Sequence, residues 1–151
     1  MNRLKSRRLA ALMSLPLLAA GCATTEIQPM PQEMLEALNG ITESNGRACL
    51  RVADISGYGT LNDSVLSVSS KFRKHYLLVT LFRCPEMEIS SAALFKGSFT
   101  ELCGGGRDSV FAGQRQCPVQ GVYEFENRQA AFAAYDEAIA RIQTRREAES
   151  D

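Results

Sequence analysis

One stretch of the chain, residues 75–82 (HYLLVTLF), is apolar on both faces of an extended strand. Leu77 and Val79 point to one side, and Tyr76 and Leu78 point to the other. A strand of this kind lies in the centre of a sheet whose two faces are both covered. The chain must therefore supply further strands beside it and a packed layer on each face.

Shorter strands are expected before and after this stretch, separated by turns rich in Gly, Pro and Ser. They are predicted at residues 48–52, 65–68, 92–95, 99–103, 109–112 and 119–125. Residues 54–59 contain two glycines and are predicted to turn or bulge, and residues 71–74 are predicted to form a hairpin tip. The number and spacing of these strands favour a small antiparallel β-barrel or sandwich.

Two helices complete the predicted fold. A short one over residues 31–38 ends at Asn39-Gly40, and a longer one runs from an Asn127 cap to about Arg145. The longer helix has one apolar stripe, formed by Phe132, Tyr135, Ile139 and Ile142. We expect this stripe to pack on the outer face of the sheet, near residues 77–81.

The predicted fold class is therefore α+β and mainly β, with a C-terminal helix packed on a small barrel or sandwich. Residues 44–147 form a single β-rich domain, and residues 148–151 form a frayed tail. The length of the chain suits one domain of this size.

The N-terminus has the pattern of an export signal. Four basic residues precede residues 9–20, a run of about a dozen apolar or small residues, and no acidic residue occurs before Glu26. A run of this length suits a signal peptide, whereas a membrane span needs ~20 residues. The segment 19–22 (AAGC) resembles the lipobox, in which the cysteine thiol receives a diacylglyceryl group and the chain is cut just before it. The sequence therefore predicts a signal peptide at residues 1–21 and acylation of Cys22.

Residues 22–43 are accordingly interpreted as the lipidated cysteine, a proline-containing tether and the short helix. Two or more acyl chains on Cys22 would attach the protein stably to a membrane. Ala23 stands where an Asp favours inner-membrane retention in enteric lipoproteins, so the resemblance points to the periplasmic face of the outer membrane.

The charge of the processed chain excludes one class of partner. Removal of residues 1–21 takes away four of the 17 basic residues and none of the 17 acidic ones, which leaves 13 against 17 and a net charge of −4. A mildly acidic protein lacks the basic surface that binding of nucleic acid requires.

The remaining cysteines support an oxidising compartment, because their number is even and two disulfides are expected. They are Cys49, Cys84, Cys103 and Cys117. Three connectivities are open. The nested one, Cys84–Cys103 with Cys49–Cys117, is favoured because the first pair lies where predicted strands end and the second pair lies where predicted strands begin. A zinc site is not expected, since there is no CxxC spacing and His75 is the only histidine.

A series of short motifs runs through residues 47–123: Cys-Leu-Arg, Asp-Ile-x-Gly-Tyr, a Tyr-Leu-Leu strand, Cys-Pro, Leu-Cys-Gly and a second Cys-Pro. The residues that carry them are Cys49, Asp54, Ile55, Gly57, Tyr58, Tyr76, Leu77, Cys84, Leu102, Cys103, Gly104 and Cys117. This order resembles an uncharacterised family of small Gram-negative lipoproteins. The chain departs from the family pattern at residues 104–106 (GGG), where the family often has Gly-Asp. The resemblance implies an envelope location and no known activity.

No set of residues in the sequence points to catalysis or to a cofactor. His75 is the sole imidazole, and no spacing brings two carboxylates together as an acid–base pair. A lone histidine of this kind is interpreted as a surface or strand-edge residue. Residues 104–107 (GGGR) lack the Lys-Ser/Thr of a phosphate-binding loop and precede a strand, so they are interpreted as a flexible turn.

The candidate binding surface is one basic cluster with a nearby aromatic residue. It comprises Lys71, Arg73, Lys74 and His75, with Tyr58 on the barrel face. Two interpretations stay open: contact with lipid A, lipopolysaccharide or glycan carboxylates, and a solvated hairpin tip that keeps the sheet edge from aggregating.

The sequence therefore favours a lipid-anchored envelope protein that is not an enzyme and acts as an accessory or interaction module for an envelope protein partner. The alternative is a β domain that binds a small ligand, a glycan or lipopolysaccharide.

Overall fold

The computed structural model of the protein describes residues 28–150. The predicted signal peptide, Cys22 and residues 23–27 of the tether lie outside the described residues, as does Asp151. Among the helices within the described range, none combines the length and the apolar character needed to cross a membrane.

Residues 28–150 contain eight strands and three helices. The strands are β1 (Cys49–Arg51), β2 (Ile55–Asn62), β3 (Val65–Ser70), β4 (His75–Thr80), β5 (Ala93–Lys96), β6 (Glu101–Cys103), β7 (Ser109–Ala112) and β8 (Arg115–Phe125). The helices are α1 (Pro31–Thr42), α2 (Glu86–Ile89) and α3 (Arg128–Ser150). A 3₁₀ turn, Val52–Asp54, joins β1 to β2.

The strands curl into a half-barrel, which confirms the predicted mainly β fold with a C-terminal helix. Six antiparallel strands pair in the order β2-β3-β4-β8-β7-β5, and β1 pairs separately with β6. The two edges of the six-stranded sheet meet through Tyr58 of β2. Its ring centroid lies 5.3 Å from that of Phe95 on β5, and its hydroxyl accepts a 2.6 Å hydrogen bond from the amide of Ala93.

The central position predicted for residues 75–82 is confirmed for β4, because all six residues of this strand are buried. Leu78 packs into the interior of the half-barrel, whereas Leu77 and Val79 pack against the helices. Leu81 and Phe82 follow the end of the strand and are exposed, contrary to the prediction. The chain turns away from the sheet after Thr80, whose hydroxyl donates to the carbonyl of Phe82 at 2.7 Å.

The predicted layer of helix on the outer face is present, but its buried stripe differs from the predicted one. The α3 residues fully or almost fully buried against the sheet and α1 are Ala131, Ala134, Ala138 and Ile142. Tyr135 and Ile139 are only partly buried beside them. The small alanines allow α3 to approach its neighbours closely, which an argument from large apolar residues alone does not reveal. The Asn127 cap is confirmed, since its Oδ1 accepts from the amide of Ala130 at 2.9 Å.

Helix α1 continues past the predicted stop at Asn39-Gly40. It ends instead at Thr42, and the capping residue Glu43 adopts the left-handed conformation with φ of 52°. Packing on the sheet stabilises the extra turn: the buried hydroxyl of Tyr123 donates to Oδ1 of Asn39 at 2.7 Å. Burial raises the pKa of Tyr123 to about 12. At the other end of α1, the hydrogen bond from Arg146 of α3 lowers the pKa of Glu33.

Residues 54–59, predicted to turn or bulge, lie mainly in strand β2. The predicted irregularity is present as a register shift in its pairing with β3 between Ile55 and Gly57, and a second shift lies beyond the predicted stretch, between Thr60 and Asn62. Two glycines in one short stretch had weakened the strand pattern. The short helix α2 was also not predicted; its four residues are too few to show a helical period.

The favoured nested disulfide connectivity is wrong. The observed disulfides are Cys49–Cys103 and Cys84–Cys117. Strand β1 pairs antiparallel with β6, and this register places Cys49 directly opposite Cys103. Cys84 follows β4, which pairs with the strand that carries Cys117. The positions of the cysteines at strand ends were therefore less informative than the pairing of the strands.

The connectivity can be checked by mass spectrometry of a non-reduced tryptic digest. Each cysteine of the two bridges falls in its own peptide, spanning residues 48–51, 84–96, 97–107 and 116–128. We expect 48–51 linked to 97–107 and 84–96 linked to 116–128. Linkage of 48–51 to 116–128 would contradict the observed strand pairing.

Replacing either bridge by paired alanines should lower the free energy of unfolding by about 4 kcal/mol.

Candidate functional site

A cavity of about 440 Å³ lies on the helix-facing side of the sheet, at the start of β4. Its lining comes from β2, β3, β4 and the first turns of α3. The lining residues are Gly57, Tyr58, Gly59, Thr60, Leu61, Ser67, Ser69, His75, Arg128 and Phe132. A volume of this size falls within the range of pockets that hold small molecules.

Two glycines of β2 keep this space open. A Cβ placed on Gly57 or Gly59 would meet no atom within 4 Å. Neither residue has the positive φ that favours glycine. Glycine in a strand interior costs roughly 0.5–1 kcal/mol relative to alanine. Local structure alone therefore does not require glycine at these positions, and their effect is to leave the cavity free of side chains.

His75 lies at the inner wall of the cavity and is only 3% exposed. Its Nε2 is 2.7 Å from Oγ of Ser67, and its Nδ1 is 3.2 Å from Oγ of Ser69. The alternation of β3 directs both serines to the same face, and antiparallel pairing with β4 brings them beside the imidazole. Both ring nitrogens therefore have hydroxyl partners, as buried polar groups require.

Burial lowers the pKa of His75, and the positive charge of Arg128 lowers it further. The neutral imidazole is thus favoured in the folded protein. A neutral ring has one N–H and one acceptor nitrogen, so it donates to one serine and accepts from the other. One of the two serine hydroxyl protons then remains available to a ligand.

Arg128 and Phe132 form the helical side of the cavity. The guanidinium of Arg128 lies over the ring of Phe132, with Cζ 4.9 Å from the ring centroid. The Phe132 ring centroid lies 6.1 Å from that of His75. No carboxylate among residues 28–150 forms an ion pair with Arg128. The cavity therefore combines one cation, hydroxyl groups and an apolar wall.

The pair formed by Ser67 and His75 differs from the arrangement of a serine hydrolase. In a hydrolase triad, a carboxylate on Nδ1 orients the imidazole and stabilises the imidazolium that forms. Here Nδ1 faces the hydroxyl of Ser69 instead. The geometry suits hydrogen bonding to a bound molecule better than proton transfer from a nucleophile.

The structure separates most of the sequence-predicted binding residues. The hairpin tip is present, but Nζ of Lys71 donates to the carbonyl of Ala53 at 2.7 Å, and Nζ of Lys74 pairs with Glu124 at 3.0 Å. Arg73 is exposed on the tip, with φ of 63°. His75 and Tyr58 both line the cavity, but the expectation that His75 lies at a surface or strand edge is wrong. Its serine partners make the burial possible.

The glycine-rich segment 104–107 forms a turn, as predicted. The amides of Gly105 and Gly106 both donate at 2.8 Å to carbonyls of β8, those of Gln120 and Val119. These amides are therefore not free to bind a phosphate. Close packing explains the first glycine, because a Cβ on Gly104 would lie 1.8 Å from the carbonyl oxygen of Gly46.

Within residues 28–150, one cluster has the spacing of metal ligands: Cys49, Glu101 and Cys103 offer ligand atoms within 4.8 Å of one another. The two sulfur atoms are joined as a disulfide, so they do not supply thiolate ligands.

The predicted site residues do not include Ser67, Ser69 and Arg128. A signal was present in β3, where Val65, Ser67 and Ser69 share one face and two of these three residues are polar. A polar residue on a face that should be covered indicates a gap or a polar partner. Arg128 gave no comparable signal, because only the tertiary structure places the start of α3 over β4.

The described residues thus define a disulfide-bonded β half-barrel with a helical layer and a polar cavity between them. The chain belongs to a family of unknown function, DUF6491, whose model matches residues 5–141. The predicted membership of an uncharacterised family is therefore confirmed. No curated protein and no solved structure matches the chain.

The lowered pKa of His75 predicts a pH dependence of stability. The unfolded chain takes up the proton near the ordinary histidine value of about 6.5, whereas the folded chain does so only at lower pH. The free energy of unfolding should therefore fall as the pH decreases from above about 6.5 to the folded-state pKa. In His75→Gln this contribution is absent. This contribution is measured by urea unfolding of the wild type and His75→Gln between about pH 5 and 8. If their difference in free energy of unfolding did not change with pH, the lowered pKa of His75 would be contradicted.

Proposed function

We propose that this protein is an envelope lipoprotein, acylated on Cys22 and held at the periplasmic face of the outer membrane. The basic N-terminus, the apolar run and the segment 19–22 support the anchor. The two disulfides support an oxidising compartment. We further propose that the described domain is a binding module and not an enzyme.

The position of the cavity suits a module anchored by its N-terminus. Arg146 near the end of α3 contacts the start of the described chain, since it donates to Glu33 and to the carbonyl of Gln28. The cavity lies at the opposite end of α3, beside Arg128. The two ends are separated by about 27 Å along the helix axis. A chain that leaves toward Cys22 near Gln28 therefore keeps the cavity away from the anchored end.

The function best supported by the geometry is the binding of a small molecule in the His75 cavity. The observation that carries this proposal is the pair Gly57 and Gly59, which leaves open space above a wall of polar side chains. A cavity with a few convergent polar groups is the usual form of a small-molecule site.

A protein partner is the second candidate, favoured by two exposed aromatic side chains. Phe72 is 70% exposed at the hairpin tip, and Phe99 is fully exposed with φ of 60°. Both flank the 3₁₀ turn, because the amide of Lys71 donates to the carbonyl of Asp54 and the amide of Val52 donates to that of Thr100. Cations near this end, Arg51, Lys71 and Arg73, would favour an acidic partner surface.

The anchor is tested by the intact mass and membrane location of the full-length protein from Gram-negative cells. We expect a chain that begins at Cys22 and carries fatty acyl groups, found in the outer-membrane fraction. Cys22→Ser should abolish acylation and release the protein from the membrane. Ala23→Asp, the matched control, should keep the acyl groups and move the protein to the inner membrane. An unacylated wild-type chain would refute the proposal.

The cavity is tested by filling it. Gly57→Ile with Gly59→Ile places two side chains in open space, and isoleucine suits a strand, so the variant should fold with a stability equal to or up to about 1 kcal/mol above the wild type. Small molecules released by denaturing the purified proteins are then compared by mass spectrometry. We expect a compound from the wild type that the isoleucine variant lacks.

Phe72→Ser with Phe99→Ser is the matched control, because it changes the other candidate surface and leaves the cavity intact. It should release the same compound as the wild type. Cross-linking in cells tests the protein-binding function on the same variants. If the serine variant alone loses a cross-linked envelope protein, and the isoleucine variant loses no compound, the protein-binding function is favoured and the small-molecule one is overturned.

A further inference from the structure

The charge pattern of the cavity indicates the class of its ligand. None of the ten lining residues is acidic, although the processed chain carries a net charge of −4. The polar groups that face the space are hydrogen-bond donors or can become donors: a guanidinium, an imidazole and serine hydroxyls. On the basis of the proposed small-molecule function, we infer that the ligand is a small organic anion whose carboxylate or phosphate group contacts Arg128, Ser67 and Ser69, next to a protonated His75.

Protonation of His75 would convert the site into a stronger anion receptor. With the ring neutral, one serine must donate its hydroxyl proton to the imidazole. With the ring protonated, both nitrogens donate to the serines, so both hydroxyl protons are free to point toward a ligand. The same step adds a positive charge next to that of Arg128. At a pH between the pKa of His75 in the free site and its pKa in the complex, about one proton is therefore taken up with each anion bound.

Arg128 is suited to the role of the fixed cation. It lies in the first turn of α3, where the helix dipole also favours negative charge. Its guanidinium rests on Phe132 rather than in an ion pair with a described carboxylate. A ligand anion would form the charge-assisted hydrogen bonds that the arginine lacks. Leu61 and Phe132 offer an apolar wall for the remainder of the ligand.

The other charged groups near His75 do not compete with such an anion. From α3 the group that affects it is Arg128, and from β2 the only titratable residue is Tyr58, whose hydroxyl bonds to β5. Opposite His75, β8 presents Phe125. The carboxylates on either side of Phe125, those of Glu124 and Glu126, line a separate groove beside Ile41. Protonation of His75 is thus not already favoured by a buried carboxylate, and the ligand would supply the negative charge.

The sole imidazole of the chain makes the inference directly measurable by NMR. Full-length protein with a histidine-free affinity tag is titrated with benzoate and phenyl phosphate, and with uncharged benzamide as the matched probe. We expect at least one anion to shift the His75 resonances and to raise the apparent pKa of His75, with no shift from benzamide. Affinity should fall about tenfold per pH unit between the free and bound pKa values. Tighter binding of benzoate would indicate a carboxylate ligand, and tighter binding of phenyl phosphate would indicate a phosphate ligand.

Arg128→Gln should weaken anion binding by about tenfold or more, since it removes a charged hydrogen-bond donor. Arg141→Gln is the control, because it removes the same charge from a position on the same helix that does not line the cavity. His75→Gln should retain weaker binding of benzoate that no longer depends on pH.

Any of three results would overturn the inference. Equal binding of benzamide and benzoate, or unchanged affinity in Arg128→Gln, would show that the cavity does not select anions, while the small-molecule function would stand. The absence of any imidazole shift with both anions at millimolar concentration would also refute the anion class. The small-molecule function itself fails only if the isoleucine variant releases the same compounds as the wild type.

Discussion

The strand β4 has no solvent-exposed face, and the layers of the fold follow from this condition. Burying a leucine or valine side chain contributes about 1.5–3 kcal/mol, so a strand with such residues on both sides is stable only between two packed layers. The half-barrel interior covers Leu78, and helices α1 and α3 cover Leu77 and Val79. The two disulfides then fix the peripheral parts of the half-barrel, the β1–β6 ribbon and the segment that follows β4.

The helical layer does not cover β4 uniformly. Beside Val79 and Leu77 it presents small alanines at close range, whereas near His75 it begins with Arg128 and the ring of Phe132. A polar residue at that end needs polar neighbours, because an unpaired buried imidazole is costly. The serines of β3 meet this need. The cavity is therefore the place where the strand that organises the core changes from apolar to polar contacts.

The sequence predicts those elements whose pattern is local. The buried strand, the hairpin tip at residues 71–74, the strand at residues 109–112 and the Asn127 cap all follow from alternation or from capping chemistry. Strand β2 was obscured because Gly57 and Gly59 remove the side chains on which alternation depends. The disulfide connectivity could not be derived, since it depends on the pairing of β1 with β6, two strands about fifty residues apart in the chain.

The same distinction applies to the site. His75 could be singled out as the only histidine, but its burial could not be predicted, because its partners come from β3 and its charged neighbour comes from α3. Four elements contribute to the cavity, and no short segment of sequence contains more than a part of it.

Three unusual features meet at this cavity. A buried histidine has a lowered pKa, an arginine lacks a carboxylate partner among the described residues, and two strand glycines face open space. Close packing does not require glycine at positions 57 and 59, because a Cβ at either position would meet no atom within 4 Å. Backbone conformation does not require it either, since neither has a positive φ. The remaining physical explanation is the space itself, which side chains at positions 57 and 59 would occupy.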